Sequence, residues 1–170
     1  MTQQTLLREG TFTLDPGRTT IRCDCKAMFG TTTVHGTFQL VNGQLQIGPD
    51  LADCAVSATI DAASFESGLS ARDEHVKSRS LLDVRTYPLI TFTSGPVRPD
   101  GDGWIVSGTV TAHGTAQPAE VRVRSVQPDG DTLRLQATCT LDRTAFGVTK
   151  VRGRVGRAVH LLIDTQTTPA

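Results

Sequence analysis

The sequence predicts an all-β domain, and three observations carry that prediction. Long stretches alternate strictly between polar and apolar residues. Turn-forming residues separate those stretches. The apolar positions of the alternation mix a few large side chains with many small ones. Period-two alternation marks antiparallel strands with one face buried and one wet, and many such strands in one medium-sized domain leave two architectures, a sandwich or a closed barrel. Small inward residues (Cys23, Cys25, Cys54, Ala58, Ala137, Cys139) among a few large ones (Phe38, Phe92, Trp104) leave room inside, and a barrel of about eight strands can hold one ligand in such space.

The elements follow in order. TTIRCDCKA places Ile21, Cys23, Cys25 and Ala27 on one face and Arg22, Asp24 and Lys26 on the other. LVNGQL carries Asn42-Gly43, which predicts a hairpin turn. DCAVSATID puts Cys54, Val56, Ala58 and Ile60 on the inner face. Residues 70–80, SARDEHVKSRS, break the alternation and predict a short helix. Ser70 with Asp73 three residues on reads as its start signal. Val76, with Leu69 and Leu81 at the flanks, is nearly all the apolar surface this helix owns, so it belongs on a rim and not in a core. The strand LITF resumes after Tyr87-Pro88, where the proline disfavours helix at the residue before it. VRPDGDGW and VQPDGDTL share Pro-Asp-Gly-Asp punctuation and predict two tight hairpins. DTLRLQATCTLD turns Leu133, Leu135, Ala137, Cys139 and Leu141 inward, and RAVHLLID does the same for Val159, Leu161 and Ile163.

Composition bounds the function. The chain has 170 residues, enough for one domain with a real core, and domain boundaries of 1–170 are expected. Seventeen basic residues balance seventeen acidic ones, and aromatics are sparse. Neither the electrostatic footprint nor the stacking platform of a nucleic-acid binder is present. The opening residues, MTQQTLLREGTFTL, read as neither a leader nor a membrane segment, and no apolar run is long enough to cross a bilayer, so a cytoplasmic protein is expected. The four cysteines fit that compartment as reduced thiols. Cys23 and Cys25 lie two apart on a strand, with parallel side chains and Cα atoms about 6.7 Å apart, a poor geometry for a disulfide.

The segment SARDEHVKSRSLLDVRTYPLITFTS resembles the signature of the YceI-like family of lipocalin-like polyisoprenoid-binding proteins. The matching residues are Arg72, Asp73, His75, Ser78, Asp83, Val84, Tyr87, Pro88, Ile90 and Phe92. FTLDPGRTTIRC, VHGTFQL, SGTVTAHGTAQPAEV and LDRTAFGV resemble further family landmarks in the same order along the chain. The sequence departs from the family at His113, where a basic residue is usual, at Leu81-Leu82, where aromatics are frequent, and at Arg18, where a histidine is usual.

The resemblance implies an extended antiparallel barrel of about eight strands, lipocalin-like, enclosing a long-chain apolar lipid such as a polyisoprenoid or an isoprenoid quinone. Strands of nine or ten residues span about 30 Å, room for an extended tail. The interior is then expected to be lined by Ile21, Cys23, Cys25, Phe38, Val56, Ala58, Ile60, Phe92, Trp104, Val106, Leu135, Ala137, Cys139 and Phe146, with Arg72, His75 and Arg79 at the mouth facing a head group. No cofactor, metal, nucleic acid or transmembrane segment is expected, and a homodimer is allowed. Two other classes compete. Asp73, His75 and Ser78 lie close together, as in a small hydrolase, but no nucleophile elbow or zinc-protease motif accompanies them. Cys23, Cys25 and a histidine could serve a metal or redox protein, but Cys-x-Cys lacks the usual zinc spacing.

Overall fold

A computed structural model describes residues 9–27, 31–149 and 155–169. The opening stretch read for a leader lies mostly in residues 1–8, outside the described residues.

Among the described residues, nine antiparallel strands form one sheet that closes on itself. They are β1 (Gly10–Leu14), β2 (Thr20–Ala27), β3 (Thr32–Ile47), β4 (Ala55–Glu66), β5 (Leu89–Asp100), β6 (Gly103–Ala112), β7 (Thr115–Asp129), β8 (Thr132–Asp142) and β9 (Val155–Pro169), with one helix, α1 (Ser70–Lys77), between β4 and β5. The ring runs β3-β2-β9-β8-β7-β6-β5-β4 and closes where β4 pairs with β3. The remaining strand, β1, pairs with the far ends of both β3 and β9. It therefore occupies the same slot as β2, and the pair amounts to one stave broken by the 3-10 turn Pro16–Arg18. The barrel has eight staves, as expected, and β3, β7 and β9 run for 15 or 16 residues, longer than expected.

Both Pro-Asp-Gly-Asp stretches make two-residue hairpins. Asp100 pairs with Gly103, and Asp129 with Thr132. Gly101 and Gly130 sit at φ 58° and 62°, the left-handed region that glycine enters without steric cost.

Asn42-Gly43 does not turn the chain. β3 passes straight through it, and Asn42 and Gly43 pair with Thr59 and Ala58 of β4. The register shifts between Leu40 and Asn42, and burial changes phase there: Leu40 is buried, Val41 and Asn42 are exposed, and Gly43 is buried again. This is a β-bulge, which keeps the apolar side of a long strand facing inward as the wall curves. Glycine is required for another reason too. A Cβ at residue 43 would stand 2.6 Å from Leu14 Cδ1 and 3.0 Å from the carbonyl oxygen of Ser57.

The helix begins differently from the expected Ser70 cap. Leu69 holds the cap position without a side-chain bond, and Ser70 is already helical. The Asp73 carboxylate reaches back beyond the helix to Ser67, accepting from its backbone N–H at 3.0 Å and from its hydroxyl.

Candidate functional site

The barrel has two unlike ends. The hairpins at 101–102 and 130–131, the 3-10 turn Leu51–Asp53 and the start of β1 gather at one end. Helix α1, the His113-Gly114 turn and the 3-10 turn Arg143–Phe146 gather at the other.

Between them runs an apolar interior, in which the described residues line three compartments. The middle one has a volume of about 180 Å³. Of the residues expected inside, Ile21, Val56, Ala58, Ile60, Phe92, Val106, Leu135, Ala137 and Cys139 line it. Continuation of the same alternation brings in Leu14, Leu40, Leu45, Val110 and Val121. Val56, Ala58, Ile60, Phe92, Leu135 and Ala137 are only half-buried although each lines this space. Their remaining exposed area faces the lumen, so the small inward residues leave a hollow instead of interdigitating. Glycine contributes as well: a Cβ on Gly108 would lie 2.6 Å from the Phe92 ring, which rests on bare backbone.

Leu45, Val56, Val106 and Leu135 also line a smaller compartment of about 80 Å³ toward the hairpin end. There Trp104 packs with Phe12, Ile47, Val126 and Leu133 in a buried cluster. Trp104 is 7% exposed and serves as a plug that edges the lumen. Phe146 is equally buried, packed against Val110, Ala119 and Cys139 beneath its turn, and lines none of the three compartments.

The compartment at the helical end is the largest, about 360 Å³. Cys23, Cys25 and Phe38 line it, joined by Phe65, Val76, Leu81 and Leu82. The rings of Phe38 and Phe65 meet at 5.3 Å and 55°. Phe38 pairs with Ile21, a wall residue of the middle compartment, so this aromatic pair stands where the two spaces adjoin. The Phe65 ring lies over Gly36, where a Cβ would overlap it. Sequence reasoning missed Phe65, and it noted the Leu81-Leu82 pair only as a departure from the family, without placing it in the lining. The first follows the irregular register between β3 and β4, and the others sit in a loop, so alternation could not find them.

The residues expected to meet a head group separate. Arg72 and His75 border this compartment, whereas Arg79 faces an open hollow on the outer side with Lys77, Asp83 and Arg85. The Arg72 guanidinium turns back to Ser67, with Nε donating to the hydroxyl at 2.9 Å and Nη2 to the carbonyl at 3.2 Å. Ser67 thus ties Arg72 and Asp73 into one joint between β4 and α1, and its hydrogen bonds hold the Asp73 carboxyl below the usual range. His75 is exposed at the rim. Arg143, unforeseen, also lines the mouth; it donates to the carbonyls of Gly156 at 2.9 Å and Val148 at 2.6 Å.

Burial pushes the Cys23 and Cys139 thiols up to about 11, and it raises Cys25 against the opposing influence of Arg143. All four cysteines are free. Among the described residues, no three His, Cys, Asp or Glu side chains are grouped to hold a metal, and no helix is long and apolar enough to cross a membrane. The lumen offers apolar carbon and almost no hydrogen-bonding group. A polar group drawn into it unpaired would lose about 1–3 kcal/mol or more.

Known proteins share this architecture. The crystal structure of Burkholderia cenocepacia BcnA superposes with a TM-score of 0.83 at 26% identity, over 91% of this chain and 99% of that one. A polyisoprenoid-binding domain from Saccharophagus degradans, implicated in plant cell wall breakdown, superposes with a TM-score of 0.73 at 14% identity, over 96% and 100%. Protein YceI of Escherichia coli O157:H7 is 29% identical over 143 residues, 81% of this chain and 75% of that protein. A UPF0312 protein of Pectobacterium atrosepticum is 29% identical over 116 residues, 65% of this chain and 60% of the relative's length. Residues 12–167 match the YceI-like domain, and on that span, nearly the whole barrel, the chain belongs to the YceI-like family.

Proposed function

We propose that this protein is a non-catalytic carrier that holds a long-chain apolar lipid, a polyisoprenoid or an isoprenoid quinone, along the barrel axis. The carrying observation is the hollow, apolar interior, in which strand-centre side chains from Val56 to Ala137 keep exposed area facing the lumen. The likeness to a polyisoprenoid-binding domain supports the choice of cargo. Each buried methylene is worth about 0.8 kcal/mol against water, but a membrane offers the same, so transfer from bilayer to barrel is close to neutral. Selectivity then rests on the shape of the lumen. Free, shielded thiols favour a reducing compartment, and we place the carrier in the cytoplasm as one domain.

Delipidated protein titrated with a fluorescent polyprenol tests the reading. Saturable uptake near one chain per barrel is expected. Failure to take up polyprenol, quinone or fatty derivative overturns it.

A further inference from the structure

The loops at the two ends of the barrel differ in charge. The connections at the Trp104 end hold Asp50, Asp53, Asp100, Asp102, Asp129 and Asp131, with no lysine or arginine among residues 48–54, 100–103 or 129–132, and of these carboxylates Asp100 is paired with Arg122 of β7 at 3.3 Å. At the mouth, the Arg72 and Asp73 charges offset each other through Ser67. Lys77, Arg79 and Arg85 remain, facing one open hollow with Glu74 and Asp83, and none of the three cations forms an ion pair among the described residues. Two of the exposed large apolar side chains, Leu69 at 55% and Leu89 at 47%, also sit at this end.

We propose that the mouth end docks on an anionic lipid bilayer, with Lys77, Arg79 and Arg85 against the headgroup phosphates and Leu69 and Leu89 entering the interface. The chain is neutral overall, so the field orients the molecule without binding it tightly. The acidic end turns to solvent, and the largest compartment opens toward the membrane. This deepens the carrier reading and rests on it, because docking in this orientation brings the lumen's mouth to its lipid source. Each cation near an anionic surface contributes about 1 kcal/mol, about fivefold in partition, and the attraction fades within a Debye length.

Vesicle flotation of the full chain tests the proposal, using phosphatidylcholine alone or mixed with phosphatidylglycerol. Binding is expected only with phosphatidylglycerol, and raised salt should abolish it. The triple variant Lys77→Glu, Arg79→Glu, Arg85→Glu should lose about a hundredfold or more in partition. Asp102→Asn with Asp131→Asn, at the far end, should keep it. Equal binding to neutral vesicles, no binding to either, or an undiminished triple variant of unchanged melting temperature overturns the docking. Polyprenol uptake from detergent solution is measured alongside. Uptake that persists without vesicle binding sinks the docking alone; vesicle binding without uptake sinks the carrier reading and leaves the docking surface standing.

Discussion

Ala58→Phe and Ala137→Phe distinguish a hollow lumen from a packed core. Ala58 pairs with Gly43 and Phe92, Ala137 with Val123 and Ile163, and both line the middle compartment. A cavity of about 150 Å³ accepts a benzene ring, and this compartment measures about 180 Å³. One added ring therefore fits, and two do not. Either single variant of the delipidated protein should lose less than about 1 kcal/mol in a urea melt, while the double variant should lose about 1–3 kcal/mol from overpacking. Binding should respond the other way. A ring that displaces about four methylenes of the cargo, at about 0.8 kcal/mol each, forfeits roughly 3 kcal/mol, more than a hundredfold in Kd. A single variant that is strongly destabilised yet binds polyprenol normally in its folded fraction would refute the lumen at that position.

Other outcomes follow from the same geometry. Cys23 and Cys139, raised to about 11 by burial, should react with polar thiol reagents far more slowly than a free thiol at neutral pH; fast labelling of folded protein would show that they do not face inward. Asp24 is held at about 2 by hydrogen bonds from Arg22 and His35. Its folded value lies below the unfolded one, so its contribution to stability is full above about pH 4 and is lost as pH falls toward 2. The gap in urea midpoint between wild type and Asp24→Asn should shrink over that window, and a gap independent of pH would show that the ion pair contributes nothing. Gly43→Ala should cost about 1–3 kcal/mol by forcing Leu14 off its site; a neutral effect would mean that β1 yields freely there.

Much of the barrel is legible in one dimension because a wet-outside wall writes itself as alternation. β2, the centre of β4 and most of β8 follow it residue by residue, and the two Pro-Asp-Gly-Asp hairpins are set by local turn chemistry. What escaped depends on distant partners. Asn42-Gly43 carries the local chemistry of a turn, but the space that demands glycine is made by Leu14, 29 positions away, and by Ser57. Ser70 looks like a helix cap, but the polar joint is made by Ser67 and Asp73, six apart. Arg72 looks like a ligand contact, and its guanidinium is occupied at that joint. Alternation also cannot tell a hollow from a packed interior; only the half-buried state of residues such as Ala58 and Ala137 does.

Mass spectrometry of an organic extract from freshly purified native protein tests the central claim most directly. One long-chain apolar molecule at near-stoichiometric amount is the expected result. Protein that yields no such molecule, and stays empty when offered polyprenols or quinones, would contradict the claim and leave the barrel without its cargo.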